Sequence, residues 1–346
     1  MEEKWWHNKV IYQIYPRSFM DSNGDGIGDL EGIRNKLDYL EELGVGIIWL
    51  CPVYTSPNKD NGYDISDYYG IMEEFGTMGD MYALIQDCKS HNISIMMDLV
   101  LNHSSDQHWW FLQSKSSREN PYHDYYIWAE TKDGKEPTDE QAFFGGSIWE
   151  WNEPTKEYYL HSFSPEQPDL NWENPKLREE LYQMIRFWMD LGIEGFRFDA
   201  IDHISKDENY HMDEKTEKVH QYIREMNCNS YGKSSNTVTV GETGSANIES
   251  AKLYSNPERH ELDMIFQFEL MGIDGVRAGK LGTEKIFAGR FEESYGKVAD
   301  TTGWSIMEQS FSWKSRLSKE AFHVLEIQHQ NTERHQQRCW EHFFMG

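Results

Sequence analysis

The chain has 346 residues, a length that can bury a large core and suits one barrel-type domain with an insertion. Its 33 basic and 59 acidic residues give a net charge of −26, which argues against nucleic acid or an anionic membrane as a partner and is compatible with a neutral ligand such as a sugar. Residues 1–6 contain no apolar signal segment, and no run approaches a membrane span. The four cysteines lack metal or disulfide spacing, so we expect reduced thiols and a cytoplasmic protein.

Along the chain, strand-like apolar runs alternate with amphipathic runs of helical period. Strands are predicted at residues 10–15, 46–51, 93–100, 195–200, 237–241 and 264–268, and helices at residues 30–43, 81–91, 176–191 and 213–227. Repeated strand-then-helix order indicates a parallel sheet with crossover helices. The interval 104–174 is too long for a connection and too aromatic for disorder, so we predict an inserted subdomain there.

Acidic residues follow three of these strands. Asp98 lies at the end of the third strand, Arg197 and Asp199 lie two apart on the fourth and therefore face one side, and Glu242 follows the fifth. Strand ends of this kind suit a (β/α)8 barrel, whose βα loops build the active site. An Asp beside a fixed Arg is expected to stay ionised, while a second carboxyl on a neighbouring buried strand stays protonated. Glycoside hydrolysis needs such a pair. Taken singly, each of these residues could be only a solvated strand end.

In this order and with these neighbours, the stretches resemble the conserved regions of the α-amylase superfamily, glycoside hydrolase family 13. The resemblance is closest to its bacterial exo-acting α-glucosidases, the oligo-1,6-glucosidase kind. Residues 60–64 (Asp-Asn-Gly-Tyr-Asp) and 167–171 (Gln-Pro-Asp-Leu-Asn) match as well, and the resemblance runs from about residue 5 to about residue 297. It implies an α/β barrel formed by residues 1–103 and 175–297, with 104–174 inserted after the third strand as a wall of the substrate pocket.

The resemblance also implies roles for individual residues. Asp199 is the candidate nucleophile and Glu242 the candidate acid/base of a double displacement with retention, which needs no organic cofactor. Asp98 would organise Arg197. The residues that would contact sugar are Asp60, Tyr63, His103, Arg197, Gln167 and Ala200.

Two of these residues bear on linkage preference. Ala200 would face the aglycone, where Val accompanies α-1,6 linkages in the resembled group, and Gln167 favours the oligo-1,6 branch. The sequence therefore leaves the choice between α-1,6 and α-1,4 linkages open. We expect a monomer that acts on an oligosaccharide.

A loop near the start places oxygen ligands at alternate positions, namely Asp21, Asn23, Asp25, the Ile27 carbonyl and Asp29. Interspersed glycines allow a tight loop around a hard cation, as in the first part of an EF-hand, although the twelfth position is Gly32 rather than Glu. The resembled group holds a structural Ca²⁺ in a similar loop. We therefore expect a structural Ca²⁺ here, the alternative being an ordinary turn.

The resemblance breaks down in residues 298–346, which lose all periodicity and are rich in Gln, His and Arg. The family's Asn-His-Asp stretch, whose Asp grips the sugar hydroxyls, does not follow Glu242. We hypothesise a shifted reading frame, since one extra base at the codon of Lys297 would let the codons of residues 314–316 read Asn-His-Asp. A second extra base near Lys319 would restore a helical pattern. A genuinely divergent tail is the alternative.

Two classes of function remain open from the sequence. One is an α-glucosidase of the oligo-1,6 kind, with trehalose-6-phosphate hydrolase and sucrose-acting relatives as neighbouring options. The other is a non-catalytic protein on the same fold. Retention of Asp199 and Glu242 favours the enzyme, but we expect the chain as written to be C-terminally truncated, to lack the last barrel strands and to be inactive.

Overall fold

In the computed structural model, the described part of the chain comprises residues 4–211 and 217–268, together with the backbones of two further strands. Its strands are β1 (Val10–Ile14), β2 (Val45–Leu50), β3 (Tyr54–Thr55), β4 (Asp67–Ile71), β5 (Ser94–Val100), β6 (Trp128–Ala129), β7 (Trp149–Asn152), β8 (Glu157–Leu160), β9 (Gly195–Asp199), β10 (Val238–Gly241), β11 (Met264–Gln267), β12 (Ile306–Gln309) and β13 (His323–Glu326). Its α-helices are α1 (Pro16–Phe19), α2 (Leu30–Arg34), α3 (Leu37–Glu42), α4 (Met78–Ser90), α5 (Trp109–Ser114), α6 (Pro175–Leu191), α7 (Glu217–Asn229) and α8 (Ile248–Ser255). Among these helices, none combines the length and apolarity that crossing a membrane requires.

Eight strands close into a barrel in the order β1-β2-β5-β9-β10-β11-β12-β13. The first seven run parallel, as the alternating sequence pattern predicts, and the α/β barrel is confirmed. β13 is antiparallel to both of its neighbours, so the eighth position departs from a (β/α)8 barrel.

The sequence predicts a barrel that lacks its last regular strands. Its seventh and eighth positions hold two four-residue strands from residues 298–346, the second of them antiparallel to its neighbours. An open barrel edge exposes unpaired N–H and C=O groups, and extended backbone from β12 and β13 satisfies them whatever its side-chain pattern. The other residues of the tail, and the start of the predicted helix 213–227, lie outside the described part of the chain.

The core follows the two-residue period of the strands. One set of strand residues fills the barrel interior, and the alternate set packs outward against the helices. The interior set includes Ile11, Ile47, Trp49, Met96, Val238, Val240, Met264 and Phe266, all buried.

The predicted helix 30–43 is divided into α2 and α3 at Asn35 and Lys36, where an Asn that competes for backbone hydrogen bonds ends the first helix.

The interval 104–174 contains a three-stranded antiparallel sheet in the order β6-β8-β7. Tyr158 on β8 lies opposite Ala129 on one side and Trp151 on the other. The interval returns to the barrel at His103, which forms a backbone bridge with Asp169. This return brings the Gln-Pro-Asp-Leu-Asn stretch next to the exit of β5.

Candidate active site

Arg197 lies at the centre of the site. Its Nη1 donates to Asp98 Oδ1 and to Asp199 Oδ1, each at 2.7 Å, and its Nη2 is 2.7 Å from Glu242 Oε2. Phe196 and Phe198 face the opposite way and are fully buried. The side chains from the ends of β5, β9 and β10 therefore meet on one guanidinium, as the strand-end positions predict.

Aromatic rings contact Arg197 in addition to its ion pairs. The rings of Trp49 and Tyr63 lie 5.2 and 5.8 Å from its guanidinium carbon, within cation–π range. Asp98 Oδ2 accepts hydrogen bonds from Trp49 Nε1 and the Tyr63 hydroxyl, both at 3.1 Å. With both of its oxygens engaged, Asp98 holds the arginine rather than being free to react.

Glu242 directly follows Gly241, the last residue of β10. A Cβ at Gly241 would lie 2.5 Å from Leu262 Cδ1 and 3.0 Å from Ile201 Cγ2, so these side chains would have to shift to admit a larger residue. Ala200 adopts a left-handed backbone conformation (φ 42°, ψ 43°), which costs a non-glycine residue about 1 kcal/mol. This conformation aims the Ala200 N–H at Glu242 Oε2, at 3.2 Å.

The charge balance of this cluster differs from the sequence expectation for Asp199. Burial raises the pKa of Asp199 well above its usual range, and the opposing effect of Arg197 does not cancel it. Burial also raises the pKa of Asp98, again against Arg197. An arginine neighbour alone would lower the pKa of Asp199, but burial outweighs it here. One guanidinium faces three carboxyl groups, and burial favours the neutral forms of Asp98 and Asp199.

Three of the predicted sugar-binding residues form one wall. Gln167 Nε2 donates to Asp60 Oδ2 at 3.0 Å and lies 3.1 Å from His103 Nε2. Burial lowers the pKa of His103 to about 4, so the imidazole is neutral and its Nε2 can accept this hydrogen bond. Burial raises the pKa of Asp60, and Gln167 opposes that shift. The wall thus offers a fixed carboxyl and amide to hydroxyl groups.

Lys206 is a site residue that the sequence analysis missed. Its buried Nζ contacts Asp169 Oδ2 at 2.9 Å, Asn102 Oδ1 at 3.0 Å and the His203 carbonyl at 2.6 Å. Burial alone would raise the pKa of Asp169, but Lys206 and hydrogen bonds from Ser162 hold it below its usual value. One ammonium therefore ties the inserted subdomain to the exit of β5 and to the loop after β9. A lysine in an aperiodic loop carries no sequence signal for this role.

A series of aromatic rings was also missed. Phe163 lies 5.1 Å from the His103 ring and stacks on His203 and on Phe143, at 5.4 and 5.3 Å between ring centres. Phe143 and Phe144 are 59% and 63% exposed. The rings lead from the buried wall to the surface, where a sugar beyond the pocket would meet them. The pair Phe143-Phe144 within a polar interval was the available signal.

The predicted calcium loop forms a tight turn stabilised by its own side chains. Asp21 accepts from the backbone N–H groups of Asn23, Gly24 and Gly26, and Asp25 accepts from that of Ile27. These oxygens belong to an exposed loop and suit a hard cation chemically.

Both oxygens of Asp29 accept hydrogen bonds, from Ser22 and from the first turn of α2, and both oxygens of Asp21 likewise accept from the loop backbone. Within the described ranges, the three-membered set of acidic and histidine ligand atoms within 4.8 Å of one another is Asp38, Glu41 and His91 rather than the loop carboxylates. The residues that would hold a Ca²⁺ in the loop are Asp21, Asn23, Asp25, Asp29 and, through its carbonyl, Ile27.

Comparison with known proteins adds family membership to this geometry. The family described as alpha amylase, catalytic domain, matches residues 13–336. The oligo-1,6-glucosidase of Bacillus cereus is 50% identical over 322 residues, which cover 88% of this chain and 58% of that protein. The glucan 1,6-alpha-glucosidase of Streptococcus pneumoniae is 53% identical over 273 residues, covering 79% of this chain and 50% of that protein.

Among solved structures, the trehalose-6-phosphate hydrolase of Bacillus licheniformis superposes with a TM-score of 0.81 at 42% identity, covering 87% of this chain and 57% of that one. The chain spans about half the length of the curated relatives it matches. The family match covers nearly the whole chain, and the barrel and its strand-end carboxyl groups agree with it. The chain therefore belongs to the family of alpha-amylase catalytic domains.

Proposed function

We propose that this chain carries the active site of a retaining exo-α-glucosidase of the oligo-1,6-glucosidase kind. The enzyme would release glucose from the non-reducing ends of isomalto- and malto-oligosaccharides. The observation that carries the proposal is the contact of one guanidinium with both Asp199 and Glu242 at the exits of adjacent strands. The names of the relatives, oligo-1,6-glucosidase and glucan 1,6-alpha-glucosidase, support the substrate class.

The chemistry follows from this pair. Asp199 attacks the anomeric carbon while Glu242 protonates the glycosidic oxygen, so that a glucosyl ester forms on Asp199 and the leaving sugar departs with the proton of Glu242. Water then gives a proton to Glu242 and attacks the glucosyl ester, releasing glucose with its α configuration and regenerating both carboxyl groups. A pair that works in this way has its carboxyl groups roughly 5–5.5 Å apart. Neither step uses an organic cofactor.

The surrounding residues are proposed to bind the sugar. Asp60, Gln167 and His103 would bond hydroxyl groups of the terminal glucose, and Tyr63 would stack on its ring. Ala200, 5% exposed beside Glu242, would face the leaving sugar and leave more room there than Val.

Three further features are also proposed. We propose a structural Ca²⁺ in the Asp21–Asp29 loop on the basis of its oxygen donors. The −26 charge and the substrate class fit a monomeric cytoplasmic enzyme of carbohydrate metabolism. Trehalose-6-phosphate hydrolase is kept as a second candidate because a solved structure of that activity superposes closely.

The test is a comparison of isomaltose, maltose, sucrose and trehalose 6-phosphate, with the released anomer followed by NMR. The protein should be assayed with its reading frame restored after residue 296, so that the tail does not limit turnover. We expect isomaltose to be cleaved fastest, with α-glucose as the first product. Release of β-glucose would contradict the retaining assignment, and cleavage of trehalose 6-phosphate alone would favour the second candidate. Binding without turnover of any substrate would favour a non-catalytic protein.

A further inference from the structure

A wide cavity that is open to solvent lies on the inserted subdomain, against the turn that joins Lys132 to Lys135. It has a volume of about 670 Å³, and Tyr158 lines it from β8. The rest of its lining includes Lys132, Lys135, Glu136, Thr138 and Asp139. None of these residues belongs to the candidate active site, so the cavity is not accounted for by the proposed reaction.

The aromatic part of the cavity extends onto the sheet surface. Trp151 lies directly opposite Tyr158, so both rings stand on one face of the sheet. The ring centres are 5.0 Å apart and the planes meet at 63°, which forms a corner rather than a stack. Trp151 is 36% exposed, and its Nε1 donates to Glu153 Oε2 at 2.8 Å, which fixes the direction of the indole. The exposed indole of Trp151 is thus held at the surface beside the partly buried ring of Tyr158.

The polar part of the cavity is nearly balanced in charge and partly preorganised. Two lysines face three acidic residues of the lining, Asp133, Glu136 and Asp139, which favours neither an anion nor a cation. Glu136 is held by Ser147 Oγ at 2.7 Å, and Thr138 Oγ1 by Trp149 Nε1 at 3.0 Å. Within the described ranges, the Asp133 and Asp139 carboxylates have no protein partner and remain available to hydroxyl groups.

We propose that this cavity and the Trp151–Tyr158 corner form a second carbohydrate site, which holds glucose units of an α-glucan away from the catalytic pocket. A pyranose offers an apolar C–H face to an aromatic ring and a rim of hydroxyl groups to charged and polar side chains. The corner supplies the ring, and the balanced rim supplies donors and acceptors for a neutral ligand. The proposal takes from the proposed function only the substrate class.

The test uses the 346-residue chain and measures binding rather than turnover. Affinity electrophoresis in gels containing dextran gives an apparent Kd for the wild type and for Trp151→Ala and Tyr158→Ala. Trp109→Ala is the matched control, because Trp109 is another exposed tryptophan (57%) on α5, outside the cavity lining. Asp60→Asn reports any binding through the glucose pocket. Circular dichroism confirms that each variant is folded.

We expect dextran to retard the wild type, Trp109→Ala and Asp60→Asn alike. Trp151→Ala and Tyr158→Ala should raise the apparent Kd about fivefold or more. If Tyr158→Ala does not fold, the surface variants Trp151→Ala and Asp139→Ala provide the same test. Three results would overturn the proposal: no retardation of the folded wild type, equal retardation of all variants, or loss of retardation in Asp60→Asn alone. Because turnover is not measured, an inactive chain leaves the test intact.

Discussion

Asp199 and Glu242 contact the same guanidinium from neighbouring strands, but they are proposed to act as nucleophile and as acid/base. Substrates whose leaving groups do or do not need a proton distinguish these two roles. In frame-restored protein, Asp199→Asn should lower kcat on every substrate by at least about a thousandfold, since no nucleophile remains. Glu242→Gln should lower turnover of isomaltose to a similar extent but affect α-glucosyl fluoride far less, because fluoride leaves without a proton. Steady-state kinetics on both substrates measures the difference. Glu249→Gln, on the exposed start of α8, is the control and should resemble wild type. Near-normal isomaltose turnover by Asp199→Asn or Glu242→Gln would contradict the catalytic role proposed for that residue.

His108 makes the stability of the fold dependent on pH. Its Nδ1 accepts from the Trp110 N–H at the start of α5, and its burial lowers the pKa of the imidazole to about 3. An unfolded histidine titrates near pH 6.5, so between about pH 6.5 and 3 the unfolded chain binds more protons than the folded one. Stability contributed by the neutral ring is therefore present above pH 6.5 and is lost on acidification.

This dependence can be measured with His108→Asn, which removes the titrating group and keeps an oxygen able to cap the helix. Urea unfolding at pH 7, 6 and 5 should show a shallower acid decline in the free energy of unfolding for this variant than for wild type. His260→Asn is the control, because His260 is exposed and has a left-handed backbone that Asn tolerates. Identical slopes for wild type and His108→Asn would contradict the prediction.

At the scale of elements, Lys206 joins the inserted subdomain to the barrel through one buried charge. Lys206→Met would leave the fully buried Asp169 carboxylate without its cation, and breaking such a pair costs about 3–5 kcal/mol. We expect a loss of this size in the free energy of unfolding, measured with urea. Lys252→Met, which removes an exposed pair on α8, should change it by less than about 1 kcal/mol. If the two variants are equally stable, Lys206 does not hold the subdomain in place.

The loop between α1 and α2 should respond to Ca²⁺ if its oxygens bind the ion. A ligand that binds only the folded state raises the melting temperature, so added CaCl2 should raise Tm and chelator should lower it. Asp25→Ala should abolish this response. Asp133→Ala, in an exposed turn of the subdomain, should retain it. An unchanged Tm, together with the absence of metal in elemental analysis, would show that the loop is an ordinary turn.

At the scale of the whole molecule, the repeated strand-helix pattern predicts the barrel. The strand-end positions of Asp98, Arg197, Asp199 and Glu242 predict that these residues lie close together. Both predictions rest on residue spacings that can be read directly from the sequence. The role of Lys206 and the raised pKa of Asp199 depend on distances and burial across segments far apart in the chain, which no local pattern encodes. β12 and β13 have no recognisable signal in the sequence, since backbone pairing at an open edge does not require a particular side-chain pattern.

The sequence of residues 298–346 leads to a prediction about the chain as written. Residues 298–346 contain no Asn-His-Asp stretch, and transition-state contacts of that kind are each worth about 3–4 kcal/mol. The last barrel strand also runs in the opposite direction from the other seven. We therefore expect purified residues 1–346 to hydrolyse isomaltose at least about a hundredfold more slowly than frame-restored protein. Sequencing of the gene across codons 296–346 should show an extra base at the codon of Lys297. Correct codons throughout, with turnover by the 346-residue chain equal to that of the longer form, would mean that the tail is genuine and that the barrel works without this carboxylate.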